Sequence, residues 1–351
     1  MKKLLLVALA AITLASCAQH EVVEVNKGNE ISFRAWTANA GRTLPTTTAS
    51  ISEFTVWAYT ENDDLYMDAI QVSEGANGWD YAPHKFWPAD ALNFYSVSPT
   101  VGGAELVDDS ETAVVVKNFV VAANAADQID LLYAVNLNET RKDDAVQVSF
   151  DHALSQVSFK ARNSNTADQG IEVVISGVDV AGVDGTGNFT LPIDKNTVIN
   201  QVATAVQGDW AATVPAQFTA GMAATTYTVT DTATELTNAA GRLLLLPQTK
   251  AAWTPAAAYD VEDGACFLVN CTVKDKTSNL YLWGAADAPK PLAIPFDANW
   301  EPGQHYIYTF IFGEGAGFDP TTGEPVLALI KFDVEVDDFK EAGVDAGVDK
   351  L

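Results

Sequence analysis

Apolar and polar residues alternate over short runs along almost the whole chain, the pattern of strands with one face on a core and the other toward water. Val146, Val148 and Phe150 alternate with Gln147 and Ser149. After a corner at Asp151, His152 and Ala153, Val157 and Phe159 alternate with Ser158 and Lys160. This stretch predicts two half-buried strands joined by a bend. A typical domain holds roughly 100 to 200 residues, so the bend is also the natural join between an N-terminal unit, 30–145, and a C-terminal unit, 146–351. Glu30 to Thr37 predicts a first strand with Ile31, Phe33 and Ala35 on one face, followed by a small, polar loop that contains Arg42. Phe54 to Tyr59 predicts the next strand, and an aromatic and proline-rich run from Trp79 to Pro99 continues the pattern.

Beyond the join the strands stay short: Ile171 to Val180, Gly187 to Leu191 and Tyr227 to Val229. Leu243 to Leu246 is continuously apolar and stopped by Pro247, as in a strand buried on both faces. Ala265 to Val273 and Leu280 to Trp283 read as a pair around a turn, and Pro302-Gly303 feeds an alternating aromatic strand ending at Phe310. The last alternation, Ile330 to Asp337, predicts a strand with Ile330, Phe332, Val334 and Val336 buried and its other face charged. No stretch longer than a turn has helical periodicity. The expectation is an all-β protein of two Greek-key sandwiches in tandem.

At 351 residues, 48% of them hydrophobic, the chain can bury a sizeable core. A formal charge of -26 argues against nucleic acid, which needs a basic surface. The N-terminus adds a destination. Lys2 and Lys3 precede an apolar run, Leu4 to Leu14, too short to span a bilayer, and the run ends in Leu14-Ala15-Ser16-Cys17. This is similar to a bacterial lipobox, in which the signal, 1–16, is cut and Cys17 is acylated. Residues 17–29 then read as a polar tether. Lipid of this kind anchors a protein to the outer membrane without a transmembrane helix.

Candidate chemistry is sparse. His20, His84, His152 and His305 show no ligand spacing, and His20-Glu21-Val22-Val23-Glu24 ends in Glu where a zinc motif needs His. There is no nucleophile elbow, P-loop or C-x-x-C. Cys266 and Cys271 lie five apart on one strand and so point to opposite faces, as two packed thiols rather than a disulfide. The expectation is a protein without catalysis, cofactor or metal.

Several fragments together resemble the fimbrillin family, the pilin-like surface lipoproteins of Bacteroides and its relatives. They are Asp130-Leu131-Leu132-Tyr133-Ala134, Val148 to Val157, the aromatic-proline run, Leu243 to Gln248, and Trp300 to Phe310. The resemblance covers nearly the whole mature chain. It implies transthyretin-like sandwiches and assembly into a fimbria with other subunits by strand exchange. It also implies an arginine-specific protease that removes the first strand; Arg42, followed by Thr43, holds the corresponding place, although an arginine in an exposed loop is equally an ordinary solvated residue. Arg34 is disfavoured as a cleavage point because it lies within a strand. Removal of Glu30 to Arg42 would leave a groove once filled by Ile31, Phe33 and Ala35. The closing strand, with Ile330, Phe332, Val334 and Val336, is a donor by pattern, and equally an ordinary last strand. The surface receptor is not identified by sequence. A second possibility is a glycan-binding surface lipoprotein that stacks sugars on an exposed cluster of Trp36, Trp79, Trp253 or Trp283.

Overall fold

The structure, a computed structural model, describes residues 29–37, 51–101, 104–107, 113–165, 170–192, 208–314, 317–326 and 330–339. In chain order the first strands are β1 (Phe33–Thr37), β2 (Glu53–Thr60), β3 (Leu65–Gly75), β4 (Gly78–Tyr81), β5 (Leu92–Ser98), β6 (Ala104–Val107), β7 (Ala113–Val120), β8 (Leu132–Glu139) and β9 (Val146–His152). Then come β10 (Ser155–Asn163), β11 (Ile171–Thr190), β12 (Asp209–Thr219), β13 (Tyr227–Thr228), β14 (Thr234–Glu235), β15 (Leu243–Leu245) and β16 (Thr249–Lys250). The last are β17 (Cys266–Asp275), β18 (Tyr281–Trp283), β19 (Lys290–Pro295), β20 (Ala298–Asn299), β21 (Gln304–Phe312), β22 (Gly317–Phe318), β23 (Pro325–Val326) and β24 (Ile330–Asp338). Helical structure among the described residues is confined to 3-10 turns of three residues. The protein is all-β, as the alternation predicts.

Three large sheets build two sandwiches in tandem, with a two-stranded pair, β16-β20, beside them. A seven-stranded sheet runs β1-β9-β8-β5-β2-β3-β4, and a ten-stranded sheet has the path β23-β22-β19-β17-β11-β7-β6. The third runs β14-β10-β21-β24, with β15 also on β10. The ten-stranded sheet is shared. β11 pairs with β17 from Ile171 to Ala181 and with β7 from Thr186 to Thr190, so one long strand joins β17 to the earlier strand β7 within a single sheet. The spacing predicts two strands here; the structure has one. Gly182, at φ 73°, and three register shifts bend β11 without ending it.

Pairing crosses the expected join at 145/146 in both directions. β9 hydrogen-bonds with β8 and β1 of the first sheet, whereas β6 and β7, from earlier in the chain, extend the sheet of the C-terminal unit. The corner at Asp151 to Ala153 marks a change of sheet between β9 and β10. Burial differs from the pattern as well. β2 and β5 are buried on both faces: Phe54, Val56, Ala58 and Phe94 enter one core, and Trp57, Tyr59, Tyr95 and Val97 enter the other. β10 is also mostly enclosed. Its polar residues find polar partners, with Ser155 Oγ donating to Glu301 O and Gln156 Oε1 accepting from Arg242 Nη1.

Candidate functional site

The first strand is an edge strand whose side chains plug a core. β1 lies parallel on β9, Phe33 opposite Val146 through Thr37 opposite Phe150. Just before it, the chain meets the segment that follows β4, the last strand of the same sheet. Ile31 N donates to Lys85 O at 2.9 Å, Trp87 N donates to Asn29 O at 2.7 Å, and the Tyr81 hydroxyl donates to Ile31 O at 2.7 Å. The Glu30 carboxylate and His84 Nδ1 meet beside them. Residues 29–37 therefore pair with β9 at one edge of the seven-stranded sheet and with the 85–87 segment that follows β4, the strand at its other edge.

Ile31 and Phe33 fill that core, at 0% and 4% exposure, while Ala35 is half-buried and Arg34 is exposed. The Phe33 ring meets Phe54, Tyr81 and Phe94 edge-on, with centroids 5.6 to 5.7 Å apart. Val146, Val148 and Phe150 of β9 are fully buried in the same cluster. Without residues 29–37, β9 would present unpaired N–H and C=O groups beside an apolar cavity. Cys17, Arg42 and Thr43 lie outside the described residues.

The closing strand is held at home by its backbone. β24 pairs antiparallel with β21 along its full length, Ile330 opposite Phe312 through Asp338 opposite Gln304. β21 itself leaves the Pro302-Gly303 turn, where Gly303 takes φ 68° as such a turn requires. After β24, Phe339 is buried, stacks on His152 at 3.8 Å, and its N–H donates to Gly303 O. The expected buried face is corrected in part. Ile330 is buried and Phe332 packs against Phe267 and Tyr308, but Val334 and Val336 are 44% and 53% exposed. The facing sheet covers only the first half of the strand, a fact that alternation cannot encode.

The tryptophans make no open platform. Trp253 and Trp283 are buried, Trp36 and Trp79 are half-buried, and Trp79 packs on Phe54 at 5.3 Å. Cys266 and Cys271 are free, buried and in different clusters, and burial pushes both thiols up to about 12, where they are protonated and inert. His305 is buried beside Ser158 Oγ at 2.8 Å, and burial, helped by the Arg242 charge, lowers its pKa to about 4. His152 Nδ1 lies 2.9 Å from Asp130 Oδ2. Among the described residues no three His, Cys, Asp or Glu side chains gather as a metal site.

Comparison with known proteins agrees with this architecture. The family described as Fimbrillin-like matches residues 33–338. Fimbrium subunit Fim1C of Phocaeicola vulgatus is 25% identical over 190 residues, 44% of this chain and 50% of that protein; the match thus spans about half the length of that relative. The crystal structure of a fimbrial protein from Bacteroides vulgatus superposes with a TM-score of 0.53 at 12% identity, covering 89% of this chain and 100% of that one. That last likeness concerns the fold alone.

Proposed function

Because this chain belongs to the fimbrillin-like family, we propose that it is a structural subunit of a surface fimbria that serves adhesion. It is delivered as an outer-membrane lipoprotein through Cys17, and it becomes competent to assemble when an arginine-specific protease cuts between Arg42 and Thr43. The observation that carries this proposal is the double role of residues 29–37 as sheet edge and core plug. Their loss opens a groove floored by Val146, Val148, Phe150, Phe54 and Phe94. An alternating strand from a neighbouring subunit restores both the ladder and the burial. Burying an Ile and a Phe side chain contributes about 1.5–3 kcal/mol each, before the cost of ordering the incoming strand.

The chain acts as the acceptor. Donating β24 would break a nine-residue ladder and expose Ile330 and Phe339, so the strand serves its own sheet. The test is the N-terminal sequence and mass of the protein taken from the surface of its native cells. A chain that begins at Thr43 is the expected form. An acylated Cys17 on an intact chain would leave the groove closed and make the protein an anchor or a monomeric binder.

A further inference from the structure

Among the described residues, β24 ends its sheet and no strand lies beside its outer edge. Edges of this kind are ordinarily blunted, because a row of free backbone groups next to apolar side chains invites pairing. This one is left open on its apolar side. Phe332, Val334 and Val336 lie beside Phe310, Tyr308 and Tyr306 of β21, all three buried, so the exposed valines continue an apolar floor toward solvent. The floor continues into a cleft of about 370 Å3 lined by Pro255, Ile294, Pro295, Phe318, Ile330 and Phe332, together with Lys331. Along the same edge, the N–H groups of Val334 and Asp338 donate to the adjacent carboxylates of Asp333 and Asp337 at 3.0 and 2.9 Å. These are short-range contacts that an incoming carbonyl can replace.

The other face of β24 narrows what can dock. It carries Lys331, Asp333, Glu335 and Asp337, and Lys331 is already paired with Glu314 at 2.6 Å. A second copy of β24, added antiparallel, would set carboxylates against carboxylates across the ladder, which is destabilising. Residues 340–351 carry Glu341, Asp345 and Asp349 against Lys340 and Lys350 and bring the same mismatch. Charge complementarity selects a different sequence: small apolar residues on one side and Lys or Arg on the other.

We propose that the open edge of β24 is a docking site for an extended segment of a partner protein in which basic residues alternate with small apolar ones. The segment adds as a strand beside β24, with apolar side chains over Val334 and Val336 and cations over Asp333, Glu335 and Asp337. This edge is separate from that of β9 and is open while β1 is in place, so it does not depend on proteolysis.

The test uses the full chain and a labelled nine-residue peptide in which Val and Lys alternate. One control has the same composition with Val and Lys in two blocks; the other has Glu in place of Lys. The alternating lysine peptide is expected to bind about tenfold or more tightly than either, losing affinity as salt rises. It should slow hydrogen exchange at residues 332–338. Val334→Asp with Val336→Asp should abolish the preference, with the strand-rich circular dichroism spectrum retained as the check that the chain is folded. Equal binding of the alternating and block peptides, protection elsewhere on the chain, or an unaffected double variant would each overturn the proposal.

Discussion

The first and last strands of this protein are both sheet edges with alternating apolar residues, and they are held by opposite means. β1 has a five-residue ladder, yet Ile31 and Phe33, at the start of that edge segment, are enclosed in a core of their own. β24 has a nine-residue ladder, and half of its apolar face lies in water. Most of what retains β1 is side-chain burial, which a replacement strand with similar side chains can reproduce. Most of what retains β24 is register with β21, specific to this chain. Strand exchange is therefore chemically reasonable at one end of the molecule and wasteful at the other.

The comparison can be broken most directly at Phe33. Phe33→Ala should lower the unfolding free energy by about 3–5 kcal/mol in chemical denaturation, since it empties a site that Phe54, Tyr81 and Phe94 enclose. Phe332→Ala, the corresponding change in β24, should have a clearly smaller effect, about 1–2 kcal/mol, because the ring is only partly covered. Equal losses at the two positions would remove the distinction between a strand held by its plug and one held by its ladder.

Acid should act on the β24 side. His305 of β21 sits opposite Asp337, and burial holds its pKa at about 4 against an ordinary 6.5. The folded protein keeps this imidazole neutral, while the unfolded chain takes up a proton below pH 6.5. Stability is thus fully present above that value and is lost as pH falls toward 4, by on the order of 3 kcal/mol. Asp151 and Asp179, whose carboxyls are raised by burial, oppose the trend, so the measurement is the difference from His305→Gln, which keeps an acceptor for Ser158 and removes the titration. A parallel pH profile in the two proteins would remove His305 from the account.

The finest test is at Val334 and Val336. Replacing both with Thr should change stability by no more than about 0.5 kcal/mol, because these side chains already contact water. A loss of several times that size would mean that the valines are covered in solution, and would move β24 closer to β1 in kind.

Local chemistry was legible along the chain. Alternation located β1, β9, β21 and β24, Pro302-Gly303 marked the turn before β21, and a spacing of five placed Cys266 and Cys271 on opposite faces, because side-chain direction in a strand follows from backbone geometry alone. The sequence fragments around Asp130, Leu243 and Trp300 also carried the family. What stood outside that reach was every decision made by a distant partner. Phe54 and Trp57 both look like core residues, but only assembly of the sheets assigns them to different cores. Phe33 and Val336 sit in equally regular alternations, but one meets three aromatic rings from separate strands and the other meets solvent. The pairing of β9 with β8, the run of β11 from β17 to β7 within one sheet and the bridge from Asn29 to Trp87 likewise belong to the tertiary structure alone. The chain by itself determined which face of each strand is apolar; whether that face is covered depends on what lies opposite it, and burial is a property of pairs of elements rather than of one.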